Sequence, residues 1–178
     1  MAKAVAFLRA VNVGGTGKIK MAALKALAEE IGLDEPATLL QSGNLIFDAK
    51  GKTPAKIESL LESAIKKEFG IETAAMVRSA TQLKAVIARN PFPKEAKSDP
   101  GFLHVYFLKD KTTAKHVEAL RAAIKGPEKV EGHGHEIFLF YPDGAGHSKL
   151  TGALIEKHLG ARGTARNWNT VNKAAEMT

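Results

Sequence analysis

Two mixed α+β subdomains with antiparallel sheets are what this sequence predicts, and three observations carry that reading. The first half of the chain runs strand, helix, strand, strand, helix, strand. Its middle two strands flank Ser42-Gly43-Asn44, residues that favour the tight turn of an antiparallel hairpin. The second half repeats much of that order after a polar, proline-flanked break. A βαββαβ run is the order of the ferredoxin-like α-β plait, so the expectation is two such subdomains, residues 1–92 and 101–178. A single mixed α+β domain is the alternative, because the repeat is one of element order and not of residues.

The elements follow in order. Val5–Val11, an apolar run broken by Arg9, reads as a strand. A glycine-rich loop, residues 12–18, leads into Met21–Ile31, where Leu24, Leu27, Ala28 and Ile31 share one helical stripe and Gly32 is the stop. The hairpin occupies Thr38–Phe47. Thr53 and Pro54 suit the N-cap and first position of a helix that carries Ile57, Leu60, Leu61, Ala64 and Ile65 and closes at Gly70. Thr73–Val77 completes the first subdomain. Ser79 and Gln82 have capping-box spacing and open a helix through Val86 and Ile87, which Asn90-Pro-Phe-Pro93 ends. Lys94–Pro100 is the junction.

Beyond it, Phe102–Leu108 reads as a strand and Thr113–Ile124 as a helix with Val117, Leu120 and Ile124 on one face. Lys129–Glu131 and Glu136–Tyr141 read as a second hairpin around Gly132-His-Gly134. Ser148–Leu159 reads as a helix ended by Gly160. A last helix starts with Asn167 as its N-cap and runs to about Met177.

The composition, 44% hydrophobic and 25% charged over 178 residues, is that of a chain able to bury a core. It has no cysteine, which excludes disulfides and cysteine-bearing zinc sites and fits a reducing compartment. Arg9 and Gly14-Gly15 cut the apolar start short of a signal peptide, and no stretch approaches a membrane span. The expectation is a cytoplasmic protein with no cofactor and no bound metal.

Charge is the most uneven property. Residues 1–28 hold Lys3, Arg9, Lys18, Lys20 and Lys25 and no acid, a charge of +5. Residues 144–178 carry +3, the stretch between carries −1, and the whole chain +7. Basic groups concentrated at both ends predict one electropositive surface for an anionic partner if the ends meet.

Four motifs bear on chemistry. Gly14-Gly-Thr-Gly-Lys18 lies between a strand and a helix, where backbone N–H groups can cradle phosphate. It is no Walker loop, because Asn12 replaces the first glycine and Ile19 the magnesium-binding hydroxyl. Ser42 lacks the strand–nucleophile–helix setting of a hydrolase serine. Phe102, His104 and Tyr106 echo an RNA-binding strand only faintly, and strand packing explains them better. His133-Gly-His135 reads as an exposed turn, having no third ligand at metal-site spacing.

The segment Thr164–Thr170 is the most distinctive, with Arg166, Asn167, the single Trp168 and Asn169 in one run. Arg166 is read as a donor that forks onto phosphate or carboxylate, so its loss should affect binding and hardly affect stability. Trp168 reads equally as a core anchor or a stacking face.

Taken together, Ala6–Gly15, Lys20-Met21, Leu40–Asn44, Tyr141–Gly144, Ser148–Leu150 and Thr164–Thr170 resemble the bacterial "domain of unknown function 1697" family over residues 4–177. The resemblance implies two α+β subdomains of plait type and no particular activity. Its motifs map onto Arg9, Asn12, Gly14, Gly15, Lys18 and Lys20 in the first loop, and onto Gln41, Ser42, Gly43 and Asn44 at the hairpin. They also map onto Ser148, Lys149, Arg166, Asn167, Trp168 and Asn169. The function expected is binding of an anionic, phosphate-bearing ligand such as nucleic acid on a basic surface formed by the two chain ends. The alternative is a small-molecule enzyme with its cleft between the subdomains, and a third reading is a module for a protein partner.

Overall fold

In the computed structural model, which describes residues 3–178, the chain is a mixed α+β protein with two antiparallel sheets and seven α-helices among those residues. It divides into two compact units, one running to Ala85 and including Lys173–Thr178, the other Val86–Asn172. Among the described residues no helix is long and apolar enough to cross a membrane.

The first unit follows the expected order: β1 (Lys3–Leu8), α1 (Met21–Glu30), β2 (Asp34–Leu39), β3 (Asn44–Asp48), α2 (Pro54–Phe69) and β4 (Ala75–Ser79). Its sheet runs β2-β3-β1-β4, with every neighbouring pair antiparallel. Alternate residues of β1 and β3 (Ala4, Ala6 and Leu8; Leu45 and Phe47) face the helices. There they meet Leu24, Leu27 and Ala28 of α1 and Ile57, Leu61 and Ile65 of α2. Each large side chain so buried contributes about 1.5–3 kcal/mol.

The helix ends obey local rules. The Thr53 hydroxyl accepts from Lys56 N at 3.3 Å and Gly70 closes α2 in the left-handed region. Ser79 and Gln82 cap α3 (Ala80–Ala88) reciprocally: Ser79 N donates to Gln82 Oε1, and Gln82 N to Ser79 Oγ.

One feature was invisible in the sequence. β4 is a sheet edge, and its Ala75 and Val77 N–H groups donate to Glu62 and Glu58 of α2, at 2.8 and 2.9 Å. Two glutamates one turn apart thus satisfy donors that would otherwise template strand addition.

The second unit is built on β5 (Leu103–Thr112), flanked by β6 (Lys129–Phe140) and β7 (Gly163–Asn167). Leu108, Ile137 and Leu139 pack against Val117 and Leu120 of α5 (Ala114–Ala123) and Ile155 and Leu159 of α6 (Gly152–Leu159). Tyr106 is buried in the same cluster and its hydroxyl donates to Glu156 Oε1, as strand packing expects, whereas Phe102 lies just before the strand and is 42% exposed.

Two expectations need correction here. The second hairpin does not form, because Lys129–Phe140 is one strand and Gly132 and Gly134 lie inside it, not at a reversal. The irregularity falls instead on β5, where the five-residue step from Phe107 to Thr112 faces only the two-residue step from Glu136 to Gly134. The polar Lys94–Pro100 stretch, read as the junction, holds a short helix, α4 (Pro93–Ser98), with Pro93 in its first turn. The helix expected from Ser148 begins at Gly152, capped by Thr151, because the Ser148 hydroxyl accepts from Leu150 N and holds a local turn. Gly163–Asn167, between two of the expected helices, forms β7. Gly163 suits it because a Cβ there would come 2.5 Å from Phe107 O and 2.6 Å from the Tyr106 ring. The last helix, α7 (Trp168–Met177), forms as expected, with Asn167 Oδ1 accepting from Thr170 N at 3.0 Å.

Candidate functional site

The candidate residues fall into two sets. Arg9 to Asn44 belong to the first unit and Ser148 to Asn169 to the second.

In the first unit, Asn12 organises the loop between β1 and α1. Its amide donates to Ile19 O and Gln41 O at 2.9 and 2.8 Å, and its Oδ1 accepts from Ile19 N at 2.9 Å. The residue sits in the left-handed region, which asparagine tolerates. Its own N–H donates to Gly17 O. Gly17 is also left-handed and a Cβ there would lie 2.2 Å from Ala10 O, so the loop closes only with glycine. Asn44 is fully buried and donates to Leu39 O and Ser42 Oγ, holding the hairpin turn. Asn12, Ser42 and Asn44 therefore act on the scaffold, whereas Gly14, Gly15, Lys18, Lys20 and Gln41 are exposed or open.

The start of α1 differs electrostatically from the other helices of eight residues or more. Those helices begin at Thr53, Ser79, Thr113, Thr151 and Asn167, each of whose side chains accepts from a first-turn N–H. At α1 the N-cap is Lys20, with no side-chain cap bond and no acid in the first turn. Lys18 stands two residues before it. Two ammonium groups therefore stand at the positive end of a helix whose first turn no side chain caps.

In the second unit the expected donor Arg166 is not at the surface. It is 7% exposed, and its guanidinium donates to Thr164 Oγ1 and Ala165 O at 2.7 and 2.8 Å. Burial lowers its pKa to about 10. β7 pairs with β5, which puts Val105 opposite Arg166, and strand alternation sets the pair on the sheet face opposite Tyr106, Leu108 and Ala165, which pack against α5 and α6. Trp168 is buried and its ring lies 6.5 Å from that of Phe138, which favours the core-anchor reading. Asn167 is spent on the helix cap, and Asn169 is exposed.

Ser148 and Lys149 line a cavity of about 630 Å³ within this unit, together with Glu128, Tyr141 and Leu150. The Ser148 hydroxyl donates to Glu128 Oε1 and accepts from Leu150 N. Sequence reasoning passed over Glu128 because it follows Gly126-Pro127 as an ordinary loop acid, 20 residues from its partner. It also passed over the bare start of α1, although Lys20-Met21 with no capping residue carried that signal.

Comparison with known proteins adds the following. The model of a family described as "Protein of unknown function (DUF1697)" matches residues 1–138. No curated protein matches the chain. Among solved structures it is similar to that of "conserved bacterial protein SP0830 from Streptococcus pneumoniae", with 20% identity and a TM-score of 0.76 over 99% of this chain and 98% of that one. At that identity the likeness speaks for the fold alone.

Proposed function

The chain belongs to the DUF1697 family of proteins of unknown function, and since that membership carries no activity we propose from the site itself that the first unit binds a phosphate-bearing ligand at the start of α1. The observation that carries the reading is the uncapped, acid-free first turn of α1 beside Lys18 and Lys20. The +5 charge of residues 1–28 favours a nucleic-acid backbone as the class of ligand. Val13 and Leu40, 59% and 60% exposed, lie on the two loops that the Asn12–Gln41 bond joins and offer apolar contact beside the phosphates. Phosphate contacts of this kind position a ligand and carry no sequence preference. We also read the first unit as a ferredoxin-like plait and the second as the same plan short of one strand. The support is the β2-β3-β1-β4 order over a βαββαβ run, and β6-β5-β7 in the second unit.

Fluorescence anisotropy with labelled single- and double-stranded oligonucleotides, titrated over salt, tests the function. Neutralising about three phosphates gives log K against log salt a slope near −3, and Lys18→Glu flattens it by roughly one unit. No complex at low salt with any oligonucleotide, or one that salt leaves unchanged, ends the nucleic-acid reading.

A further inference from the structure

We propose that the cavity of the second unit binds a small molecule consisting of an amine on an apolar body, with the Glu128 carboxylate as its counter-ion. The cavity, about 630 Å³, is of the size that small ligands occupy, and Ile124, Leu150 and Leu154 give it an apolar wall. Glu128 is half-buried in that wall. Its hydrogen bond is with the neutral Ser148 hydroxyl, and among the described residues no Lys, Arg or His stands within ion-pair distance of it. A carboxylate beside apolar surface keeps a desolvation cost that a cation placed against it offsets. Lys125, His147 and Lys149 line the same cavity, with Asp143 as a second acid, so the preference for a cation is local to the Glu128 carboxylate. The Glu128 carboxylate thus favours the opposite sign of ligand from the start of α1, and neither assignment depends on the other.

Tyr141 supplies the second contact. It is buried at the cavity, and its phenol is pushed up to about 12, by burial first and by the Glu128 charge second. The ring stays neutral at physiological pH and offers a face to an ammonium group. Ser148 sets the direction of the acceptor. Its Oγ is held by Leu150 N at 3.0 Å while it donates to Glu128, so the carboxylate is tethered at Oε1. Gly126 leaves the room: a Cβ there would lie 2.4 Å from Glu128 Oε2 and would push the carboxylate aside.

The test uses the ¹⁵N-labelled full chain and three probes of one shape: benzylamine, benzyl alcohol and phenylacetate. Benzylamine is expected to shift the amide signals of Gly126, Glu128, Tyr141 and residues 143–150. Benzyl alcohol should bind roughly tenfold more weakly and phenylacetate not at all, since a charged hydrogen bond is lost in one case and reversed in the other. Glu128→Gln removes the charge and should weaken benzylamine by roughly tenfold or more. Gly126→Ala keeps the charge and moves it, with the same result, and decides the matter if the first variant does not fold. Lys20→Asp leaves benzylamine binding unchanged, which separates this site from the start of α1. The proposal is overturned by no response to benzylamine, by equal binding of the three probes, or by undiminished binding in both cavity variants.

Discussion

Arg78 and Arg166 hold the same position in two different sheets. Arg78 of β4 faces Val5 of β1, and Arg166 of β7 faces Val105 of β5. Both are buried, at 6% and 7% exposure, and each guanidinium donates to the carbonyl of the residue before it, Val77 O at 2.9 Å and Ala165 O at 2.8 Å. Each is followed by a helix-capping residue, Ser79 or Asn167. The repeat between the halves of the chain therefore reaches individual residues where a last strand turns directly into a helix.

From this position the first prediction reverses the expectation for Arg166 as a surface donor. Arg166→Ala should cost roughly 2–4 kcal/mol, because it leaves a cavity and strips a donor from buried oxygens. Trp168→Ala should cost about 3–5 kcal/mol through the same cavity mechanism. Urea denaturation of both variants measures this, and a change below about 1 kcal/mol for Arg166→Ala would return it to the surface role.

Lys20 presents the opposite case, a residue whose replacement should improve the fold. Lys20→Asp places a capping carboxylate at the positive end of α1 and should stabilise the protein by about 0.5–1 kcal/mol. The same change should abolish phosphate binding there. A variant both less stable and still able to bind contradicts the electrostatic account of this helix end.

Asn12 tests whether the loop is pre-formed. Asn12→Ala deletes three hydrogen bonds and leaves Ile19 and Gln41 backbone groups unmatched, at a cost of about 1–3 kcal/mol. Amide exchange should rise across residues 12–19 and at the hairpin tip together, since one side chain ties the two. Faster exchange in only one of them would show that the bridge to Gln41 O contributes nothing.

His104 governs the mildly acidic range. Its ring packs 5.2 Å from that of Tyr141, and burial holds its pKa below the ordinary 6.5, partly opposed by a hydrogen bond with the Gly101 backbone. As pH falls through about 6.5 the unfolded chain takes up the proton first, so stability declines from there downward. Glu72 and Glu95 are pulled below their usual range by Lys66 and Lys129, and their small exposed contributions persist until pH falls below about 4.5. The urea midpoint should therefore drop between roughly pH 7 and pH 5, and His104→Gln should remove part of that drop. An identical profile in the variant would assign the decline to other groups.

What could be read from the residues was whatever acts within a few positions of itself. Thr53 and Gly70 delimit α2, Ser79 and Gln82 cap α3, and Asn167 starts α7 because each device closes on backbone no more than four residues away. The heptad-like spacing of Leu24, Leu27 and Ala28 marked a buried stripe for the same reason. Charge segregation was also plain, being a count along the chain.

Long-range pairing was not. Gly132 and Gly134 permit a reversal, but whether the chain turns there depends on β5 being long enough to carry the irregular register itself. Arg166 reads as a surface cation until β7 is placed against β5, where it is buried opposite Val105. Glu58 and Glu62 look like solvent charges until the edge of β4 arrives beside them. Glu128 becomes a candidate acceptor only when the chain returns Ser148 and Tyr141 to it. Burial and charge compensation are properties of neighbours in space, and the tertiary fold chooses those neighbours from residues 13 to 64 positions apart in the chain.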